Sequence, residues 1–489
     1  MSSDQPKRVV SPQPLYHLDR ALGESLERAL RAHHRRRLRK IGWGHVFDHS
    51  SEWAEGGPPA RDGNKIEVLI DGEESFGAMA EAIGSAREHV EVAGWHMEPD
   101  FRLGDPGDTL EETLGEAGRR AEVRVLLWAG APLPPPFRPR RGEAKDAAGC
   151  FNALRGVRCT LDSEERLLHC HHEKLVVVDG GTAFVGGFDF STLGASRLDG
   201  SHHPPKDPMG WHDATFRIEG PLVADVAEHF RLRWREVADE SLPALPPPPP
   251  AGDTTAQLVR TVPEGVYDGL PRGEFTILSS YVAALRAARD FVYLENQFLW
   301  SSEVVKILAE KLRNPPTDGF RLVLLLPAKP TTGNDDTLGQ LAVLAEADDG
   351  NGRFVASTLY GRDGRDAKPV YVHAKVGIVD DRWLTIGSGN LNNHSLFNDS
   401  EVNVVTHDAR LARETRLRLW AEHLEQPVEK LAGRAPTEVV DDVWIPTAVE
   451  QLERREAGVP PTHRLTRLPH VSKRSKRLLG PLQTFLVDG

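Results

Sequence analysis

Cysteine and long apolar runs are scarce in this chain of 489 residues. Its three cysteines, Cys150, Cys159 and Cys170, form an odd set, so reduced thiols are expected rather than a disulfide framework. No stretch approaches the roughly 20 uncharged apolar residues that a membrane-spanning helix needs. The first 18 residues lack the apolar segment of a secretory signal. We therefore expect a cytoplasmic location, with any membrane contact being peripheral.

A surplus of basic residues is also missing. The 60 Lys and Arg residues face 72 Asp and Glu residues, which gives a formal net charge of −12. Proteins that bind polyanions usually carry a basic footprint, so a nucleic-acid partner is not expected. Two local basic clusters are either solvated surfaces or docking points for anionic lipid headgroups. They comprise Arg31, Arg35, Arg36, Arg37, Arg39 and Lys40, and Lys473, Arg474, Lys476 and Arg477.

What the chain does contain is two copies of the pattern His-x-Lys-x₄-Asp, placed 201 positions apart. Two copies of so specific a pattern are not expected by chance. The chain prefers arginine to lysine elsewhere, so both positions indicate a requirement for a compact ammonium group. The copies are His172, Lys174 and Asp179, and His373, Lys375 and Asp380.

Each copy leads into a short apolar strand, LVVV or VGIV, and a second strand follows it. Alternate residues of a strand share a face, so each histidine and its lysine point the same way. Fifteen and 17 positions after the histidines stand Gly187 and Asp189, and Ser388 and Asn390. Small and amide-like groups at these positions could approach a phosphate closely and form hydrogen bonds with it. We therefore predict that these four residues bind substrate.

Two histidines with two lysines predict a phosphodiester site, because ammonium groups would repel a metal cation. One imidazole can attack phosphorus while the other protonates the leaving oxygen. The lysines would neutralise the charge that builds on the non-bridging oxygens. We expect neither a metal nor a cofactor in this chemistry.

Both motifs are followed by a similar segment that contains an acid, a strand and a helix. Aligning these segments places Asp213 opposite Glu401, which lie 41 and 28 residues after their histidines. The difference of 13 falls around residues 198–210, where a loop insertion is plausible. A catalytic imidazole needs a partner for its second nitrogen. We predict that Asp213 and Glu401 are these orienting carboxylates.

The repeat extends upstream, where residues 76–100 and 277–301 both predict an amphipathic helix followed by a strand. The expected fold is therefore α/β, with two similar lobes of mixed sheet and flanking helices related by pseudo-twofold symmetry. The segment LPALPPPPPAGD predicts an extended spacer between them. The expected divisions are a charged extension at 1–62, lobe 1 at 63–242, a proline-rich linker at 243–253, lobe 2 at 254–425, and a carboxyl-terminal extension with a basic tail at 426–489.

These motifs resemble the phospholipase D superfamily over about residues 65–425. Further marks are GSGN at 387–390, GGFD at 186–189, GWHD at 210–213 and LENQF at 294–298. The last three are more similar to the phospholipid-acting branch. The resemblance implies a monomer with one site between the halves, a covalent phosphohistidine and no catalytic metal. It also implies that His172 is the nucleophile and His373 the general acid, although the residues themselves leave this assignment open.

The function implied by the resemblance is that of a phospholipase D-type phosphodiesterase or phosphatidyltransferase acting on glycerophospholipids. Water or an alcohol would accept the phosphatidyl group. A cardiolipin synthase-like transferase is the nearest alternative. A nuclease or other phosphodiesterase, and an inactive binding protein, are further alternatives.

Several residues near the motifs allow two interpretations each. The run HCHHEK could hold zinc through His169, Cys170 and His171, or these histidines could be rim residues. The motif aspartates Asp179 and Asp380 are expected to bind backbone donors rather than to act as acids or bases. The matched triplets that end two strands could line a headgroup pocket or cap the sheet. They are Trp95, His96 and Glu98, and Glu295, Asn296 and Gln297.

Overall fold

A computed structural model describes most of the chain. It covers residues 13–132, 139–165, 169–192, 197–207, 209–329 and 334–469, without the side chains of 13–20 and 334–336. The basic cluster at 473–477 lies outside the described residues.

The helices and strands alternate along most of the chain. The helices are α1 Gln13–Lys40, α2 Asp71–Ser85, α3 Leu110–Ala117, α4 Arg141–Asn152, α5 Leu222–Ala238, α6 Thr276–Ala287, α7 Ser302–Arg313, α8 Asn334–Asp348, α9 Asn393–Phe397, α10 Ala409–Leu424, α11 Val428–Ala432, α12 Pro436–Val439 and α13 Ile445–Glu456. A 3₁₀ turn spans Gly44–Phe47, and a π turn joins α12 to α13 at Val440–Trp444.

The strands fall into two sets, one from each half of the chain. Those of the first half are β1 Arg61–Ile70, β2 His89–Gly94, β3 Glu122–Trp128, β4 Val157–Asp162, β5 Leu175–Val178, β6 Thr182–Gly186, β7 Gly210–His212 and β8 Ala214–Glu219. Those of the second half are β9 Thr254–Val262, β10 Glu274–Phe275, β11 Phe291–Glu295, β12 Arg321–Leu325, β13 Phe354–Asp363, β14 Asp366–Val372, β15 Val376–Val379, β16 Trp383–Gly387, β17 Glu401–Thr406 and β18 Leu465–Arg467.

The two sets pair in the same order. The first sheet runs β4-β3-β2-β5-β6-β8-β1, and the second runs β13-β12-β11-β15-β16-β17-β9. In both sheets the first two pairings are parallel and the other four are antiparallel. Strand β1 also pairs with β9, which joins the sheets. The predicted mixed α/β fold is confirmed, and its topology repeats strand for strand.

The core has three layers because the strands bury both faces. Leu175 and Val177 of β5 face a central layer, whereas Val176 and Val178 face helices α2, α3 and α4. The central layer also contains α5, α10 and the inner faces of both sheets. Helices α6, α7 and α8 cover the outer face of the second sheet. Continuous apolar runs such as LVVV are what such doubly covered strands require.

The terminal segments do not form separate extensions. Arg35 of α1 forms a two-bond ion pair with Glu303, with both nitrogen–oxygen distances at 2.7 Å. At the other end of the chain, β18 pairs with β13. The side chain of Trp444 is fully buried, and its indole donates a 3.1 Å hydrogen bond to Ser357 Oγ. Both predicted boundaries, at 62/63 and 425/426, therefore fall within a continuous packed structure.

The proline-rich segment at 243–253 is anchored to the first half. The backbone amides of Ala251 and Gly252 both donate to the Gly63 carbonyl, at 2.8 and 3.2 Å. Near its other end, Arg231 donates to the carbonyl of Pro243. The spacer thus follows a fixed path over the first half. Among the described residues, none of the helices combines the length and apolarity needed to cross a bilayer.

The burial of Trp444 gives a direct test of this architecture. Trp444→Ala should lower the free energy of unfolding by about 3–5 kcal/mol, because it removes a large buried ring and its hydrogen bond. Val459→Ala, at a side chain that is 44% exposed, should change it by less than about 0.5 kcal/mol. Guanidinium denaturation measures both values. An unchanged stability in Trp444→Ala would mean that residues 426–469 do not fold with the second half.

Candidate active site

The motif residues meet at one edge of the two sheets. Lys174 and Lys375 directly precede β5 and β15, while Gly187 and Ser388 directly follow β6 and β16. Because β5 and β6 are antiparallel, as are β15 and β16, the start of one strand lies beside the end of the next. Each sheet therefore carries its His-x-Lys pair at the same place in the repeat.

Each motif histidine is held by a carboxylate from the other half of the chain. His172 Nδ1 lies 3.1 and 3.2 Å from the two carboxylate oxygens of Glu401. His373 Nδ1 lies 2.6 Å from Asp213 Oδ2. Both carboxylates are the predicted ones, and each crosses from one half to the histidine of the other. These contacts fix the ring orientation through Nδ1, which leaves Nε2 of each imidazole for other contacts.

Backbone hydrogen bonds also connect each motif histidine to the other half of the chain. The amide of His172 donates to the Ser400 carbonyl at 2.9 Å, and the amide of His373 donates to the His212 carbonyl at 2.8 Å. Strand β7 also pairs in parallel with β14 of the second half. The segment before each histidine is therefore held by the half that supplies its carboxylate. Neither half forms this site alone.

The motif lysines are buried and held by several oxygens. Lys174 Nζ donates to the carbonyl of His172 at 2.6 Å and lies 3.2 Å from Asp189 Oδ2. Lys375 Nζ donates to the carbonyl of His373 and lies 3.3 Å from Gln297 Oε1. A carbonyl two residues back fixes each ammonium group close to its own histidine. This geometry suits a point charge beside a phosphate better than a planar guanidinium.

Gly187 and Ser388 serve the orienting carboxylates, which differs from the predicted contact with phosphate. A Cβ atom on Gly187 would lie 2.2 Å from Asp213 Oδ1, so only glycine leaves room for that carboxylate. At the matching position, Ser388 Oγ donates to Glu401 Oε2 at 2.5 Å. The asymmetry between GGFD and GSGN therefore has a local cause. One half clears space for a carboxylate, and the other hydrogen-bonds it.

Asp189 and Asn390 also differ from each other in role. Asp189 Oδ1 accepts the amides of Trp95 and His96 at 2.9 and 3.1 Å, and Oδ2 faces Lys174. A carboxylate in this position would repel a phosphate, so Asp189 positions Lys174 instead of binding substrate directly. The Asn390 amide lies 3.5 Å from Gln297 Oε1, and its own Oδ1 is buried without a hydrogen-bond partner.

The motif aspartates bind backbone donors, as expected. Asp179 accepts the amides of residues 87, 88 and 89 at 2.7 to 2.9 Å. Asp380 accepts those of residues 289, 290 and 291 at 2.7 to 2.8 Å. Both have positive φ angles, 50° and 53°, at the end of a strand. They tie β5 and β15 to the strands beside them, which is a structural role and not an acid–base one.

The run HCHHEK does not form the zinc cluster considered as an alternative. His171 is buried, with Nδ1 2.9 Å from Ser400 Oγ and Nε2 3.0 Å from Asp162 Oδ1. This position also differs from the expected rim location. His169 is partly exposed and faces Asp399 at 3.4 Å, and Cys170 is buried. The three side chains therefore contact different partners.

Trp95 and Gln297, from the two matched triplets, line the site. The Trp95 ring stands edge-on to His172 at 5.9 Å, and Lys174 Nζ lies 5.7 Å from its centre. Gln297 faces Lys375. These side chains are positioned to surround a group bound between the lysines.

The other triplet members support the sheet edge. Glu295 is fully buried and accepts a 2.9 Å hydrogen bond from His212 Nε2. Asn296 Oδ1 accepts two backbone amides, at 3.0 and 3.1 Å. His96 and Glu98 face each other at 3.7 Å. The sheet-edge interpretation therefore holds for Glu295 and Asn296, and a headgroup pocket lined by Trp95 and Gln297 stays a prediction.

Arg197 is a buried cation near the site that no sequence motif marks. Its guanidinium stacks 3.8 Å above the Trp211 ring, and its buried Nη1 has no hydrogen-bond partner. Burial lowers the pKa of Arg197 to about 10, against the attraction of Asp189 and Asp213. The side chain therefore supplies a desolvated positive charge near His373. No motif spacing marks an arginine beside an inserted loop, so the sequence carried no signal for it.

Burial dominates the electrostatics of the orienting carboxylates. It raises the pKa of Asp213 to about 6, although Lys375 acts in the opposite direction. It also raises the pKa of Glu401 well above its usual range, against the effect of Lys174. Burial and then Lys375 lower the pKa of His373 well below its usual value, and both His172 and Lys174 contribute. Charges from both halves thus act on one imidazole.

The raised pKa of Asp213 makes stability depend on pH. Folding raises the pKa of Asp213 from the usual value of 3.8 to about 6. The folded chain therefore binds this proton more tightly than the unfolded chain. Stability is therefore lost as pH rises through this window. Asp213→Asn should increase the free energy of unfolding at pH 8 by about 1–3 kcal/mol and have no such effect near pH 4. Thermal or denaturant unfolding at both pH values measures the difference.

The exposed Asp207→Asn is the control and should leave the stability profile close to that of the parent. Lower stability of Asp213→Asn at pH 8 would contradict this prediction. It would mean that the ionised carboxylate stabilises the fold through His373.

The chain is similar in sequence to several known proteins. A family model described as "Cardiolipin synthase, PLD-like domain" matches residues 281–421. The chain is 26% identical to "Phospholipase D A" of Dictyostelium discoideum over 75% of its own length, spanning 36% of that relative. It is 29% identical to "Cardiolipin synthase A" of Pseudomonas aeruginosa (strain LESB58), covering 75% of this chain and 68% of that one.

A solved structure supports the fold. The phosphatidylserine synthase of Haemophilus influenzae Rd KW20 superposes with a TM-score of 0.50 at 14% identity. The match covers 80% of this chain and 93% of that one. Two His-x-Lys pairs at matching sheet edges, each histidine held by the opposite half, accompany these similarities. Over residues 281–421 the chain thus carries a PLD-like domain, and it is similar to proteins named phospholipase D and cardiolipin synthase.

Proposed function

We propose that this chain cleaves the distal phosphodiester bond of a glycerophospholipid and transfers the phosphatidyl group to water or to an alcohol. One observation carries the proposal: two buried imidazoles, each with a neighbouring lysine, are oriented by carboxylates that cross between the halves. A nucleophile and a general acid must act on one phosphorus atom from different sides. The crossed pairs suit that requirement.

In the first step, Nε2 of His172 forms a bond to phosphorus, and the bond from phosphorus to the headgroup oxygen breaks. His373 Nε2 gives its proton to that oxygen, so the alcohol leaves neutral. In the second step, water or an acceptor alcohol returns a proton to His373 and its oxygen bonds to phosphorus. The bond to His172 then breaks and restores the imidazole.

The charges around the site support this sequence of steps. Lys174, Lys375 and Arg197 all lower the pKa of His373. A bound phosphodiester anion offsets these cations, so His373 takes up its proton more readily when substrate is present. The same three cations would stabilise charge on the non-bridging oxygens. Asp213 would stabilise the imidazolium form of His373 in each cycle.

The acceptor defines two versions of the reaction. Transfer to water is a hydrolase reaction, and transfer to the glycerol group of phosphatidylglycerol is a cardiolipin synthase-like reaction. We keep the cardiolipin synthase-like reaction as the alternative. It is supported by the description of the matching family and by the name of the Pseudomonas relative. The formal net charge of −12 continues to disfavour a nuclease.

We also propose that the protein works at a membrane surface from the cytoplasm without crossing the bilayer. Three members of the first basic cluster, Arg36, Arg39 and Lys40, are exposed. Arg35 and Arg37 are instead held by Glu303 and Glu264. Each exposed charge would contribute on the order of 1 kcal/mol near an anionic lipid surface.

The nucleophile can be assigned by trapping the covalent intermediate. His172→Ala and His373→Ala should each lower kcat by about 10³-fold or more, with no further loss in the double variant, because the two residues act as a unit. Phospholipid labelled at phosphorus should leave acid-labile label on His373→Ala and none on His172→Ala. The exposed His202→Ala should keep the parent activity. Label on His172→Ala alone would reverse the two roles.

The reaction version can be read from the lipid products. Vesicles of phosphatidylcholine and of phosphatidylglycerol are incubated with the protein, sedimented to measure binding, and analysed by mass spectrometry. Phosphatidic acid from either lipid supports hydrolysis, and cardiolipin without phosphatidic acid supports transfer and rejects hydrolysis. Cleavage of an oligonucleotide with both lipids intact would overturn the proposed substrate class.

A further inference from the structure

Behind Asp213, four side chains converge on one buried point. They are Asp71, His203, His212 and Glu422, whose potential ligand atoms all lie within 4.8 Å of one another. The side chains of the first three are fully buried, and that of Glu422 is 4% exposed. None of these four residues takes part in the proposed reaction.

The four come from distant parts of the chain. Asp71 is the first residue of α2 and has a φ of 62°, and Glu422 lies in α10 of the second half. His212 belongs to β7. His203 comes from the 198–210 segment, where the sequence comparison of the two halves predicts an insertion. Directly before this segment, the backbone of Arg197 packs closely against α2, since a Cβ on Gly72 would lie 1.6 Å from the Arg197 carbonyl oxygen.

Each histidine is also held from behind by a second carboxylate. His203 Nδ1 lies 3.1 Å from Asp199 Oδ2, and His212 Nε2 lies 2.9 Å from Glu295 Oε2. An imidazole that donates its proton outward presents a lone pair from its other nitrogen. Metal-ligating histidines are commonly arranged in this way, with a carboxylate fixing the tautomer.

With the proton of each imidazole on its outward nitrogen, the inward-facing atoms are all acceptors. His203 Nε2 lies 3.0 Å from Asp71 Oδ2 and 3.2 Å from Glu422 Oε1. His212 Nδ1 lies 2.8 Å from Asp71 Oδ1 and 3.6 Å from Glu422 Oε1. Asp71 Oδ2 is buried and has no hydrogen-bond partner, despite its closeness to His203. Two carboxylates and two lone pairs at these distances require positive charge between them.

We propose that Asp71, His203, His212 and Glu422 bind one zinc ion. Two nitrogen and two oxygen ligands suit zinc, and four protein ligands make a closed, structural site. With metal–ligand distances of about 2.0–2.2 Å, tetrahedral ligand atoms lie roughly 3.3–3.6 Å apart. The contacts between 2.8 and 3.6 Å need only small movements to reach that geometry. The charge of the dication balances the two carboxylates.

The ion would support the active site without entering the reaction. Asp71 Oδ1 accepts the amide of Asp213 at 3.2 Å, and the amide of Asp71 donates to the Asp213 carbonyl at 2.8 Å. The carbonyl of His212 accepts the amide of His373. Zinc bound to Asp71 and His212 would therefore hold Asp213 in place against His373. Through His203 it would also fix the segment that directly follows Arg197.

The rival arrangement uses two protons in place of the metal. Burial opposes protonation of both histidines, but Asp71 and the other carboxylates raise the pKa of His203 and of His212 well above the usual value. Two imidazolium groups could then balance Asp71 and Glu422. The two arrangements differ in one measurable respect, which is the presence of a tightly bound metal.

Metal analysis of the purified full-length chain separates them. After gel filtration, inductively coupled plasma mass spectrometry should give about one zinc per chain for the parent. His203→Ala should reduce this value at least fivefold. His202→Ala, one residue away and exposed, should keep it. His169→Ala should also keep it, although His169, His394 and Asp399 form another group of potential ligands.

Chelation of the parent protein tests the site without any substitution. Removing zinc with dipicolinic acid should lower Tm by roughly 5 °C, and adding zinc, but not magnesium, should restore it. Absence of bound metal from the parent chain would overturn the proposal. Full zinc content in both His203→Ala and Glu422→Gln would overturn it as well. Loss of zinc in His169→Ala alone would overturn the choice of ligands.

Discussion

The exchange of carboxylates between the two halves is the contact on which the rest of the structure depends. Glu401 holds His172, and Asp213 holds His373. Because these four groups are buried together, each half must fold against the other before either histidine is oriented. The joined sheets, the reciprocal backbone hydrogen bonds and the three-layer core all maintain this one alignment.

Holding the two carboxylates in this buried alignment disfavours their ionised forms. Burial raises the pKa values of Asp213 and Glu401, so neither group is ionised there as easily as in water. A chain selected only for stability would use neutral groups at these positions. The carboxylates are best explained by the proposed reaction, in which an imidazole gains and loses positive charge. This is the usual relation between function and local instability.

The two halves have diverged around the same plan. Ser388 donates a hydrogen bond to Glu401, whereas Gly187 makes space for Asp213. The first half also contains the inserted segment that carries His203 and directly follows Arg197. These differences give the two histidines unequal surroundings, as expected if one is a nucleophile and the other a general acid. The proposed zinc site would belong to the Asp213 side of this asymmetry.

Much of the arrangement of the motif residues could be predicted from their spacing along the sequence. A histidine two residues before a lysine at the start of an apolar run predicts a strand edge with both side chains close together, and the structure has this twice. Repeated segments likewise indicated the mixed α/β fold and identified Asp213 and Glu401. Such features depend on residues that are near in sequence, where strand and helix periodicities apply.

The remaining features depend on contacts between distant residues. No spacing indicates that Glu401 reaches His172 in the other half, or that Gly187 borders Asp213. The sequence also did not predict the burial of His171 or the position of Arg197. It did not predict that both terminal segments pack on the second half. The sequence by itself determined the repeated strands and the reactive residue types. Only the tertiary structure decided which residues meet, because sheet packing brings together side chains that lie hundreds of positions apart.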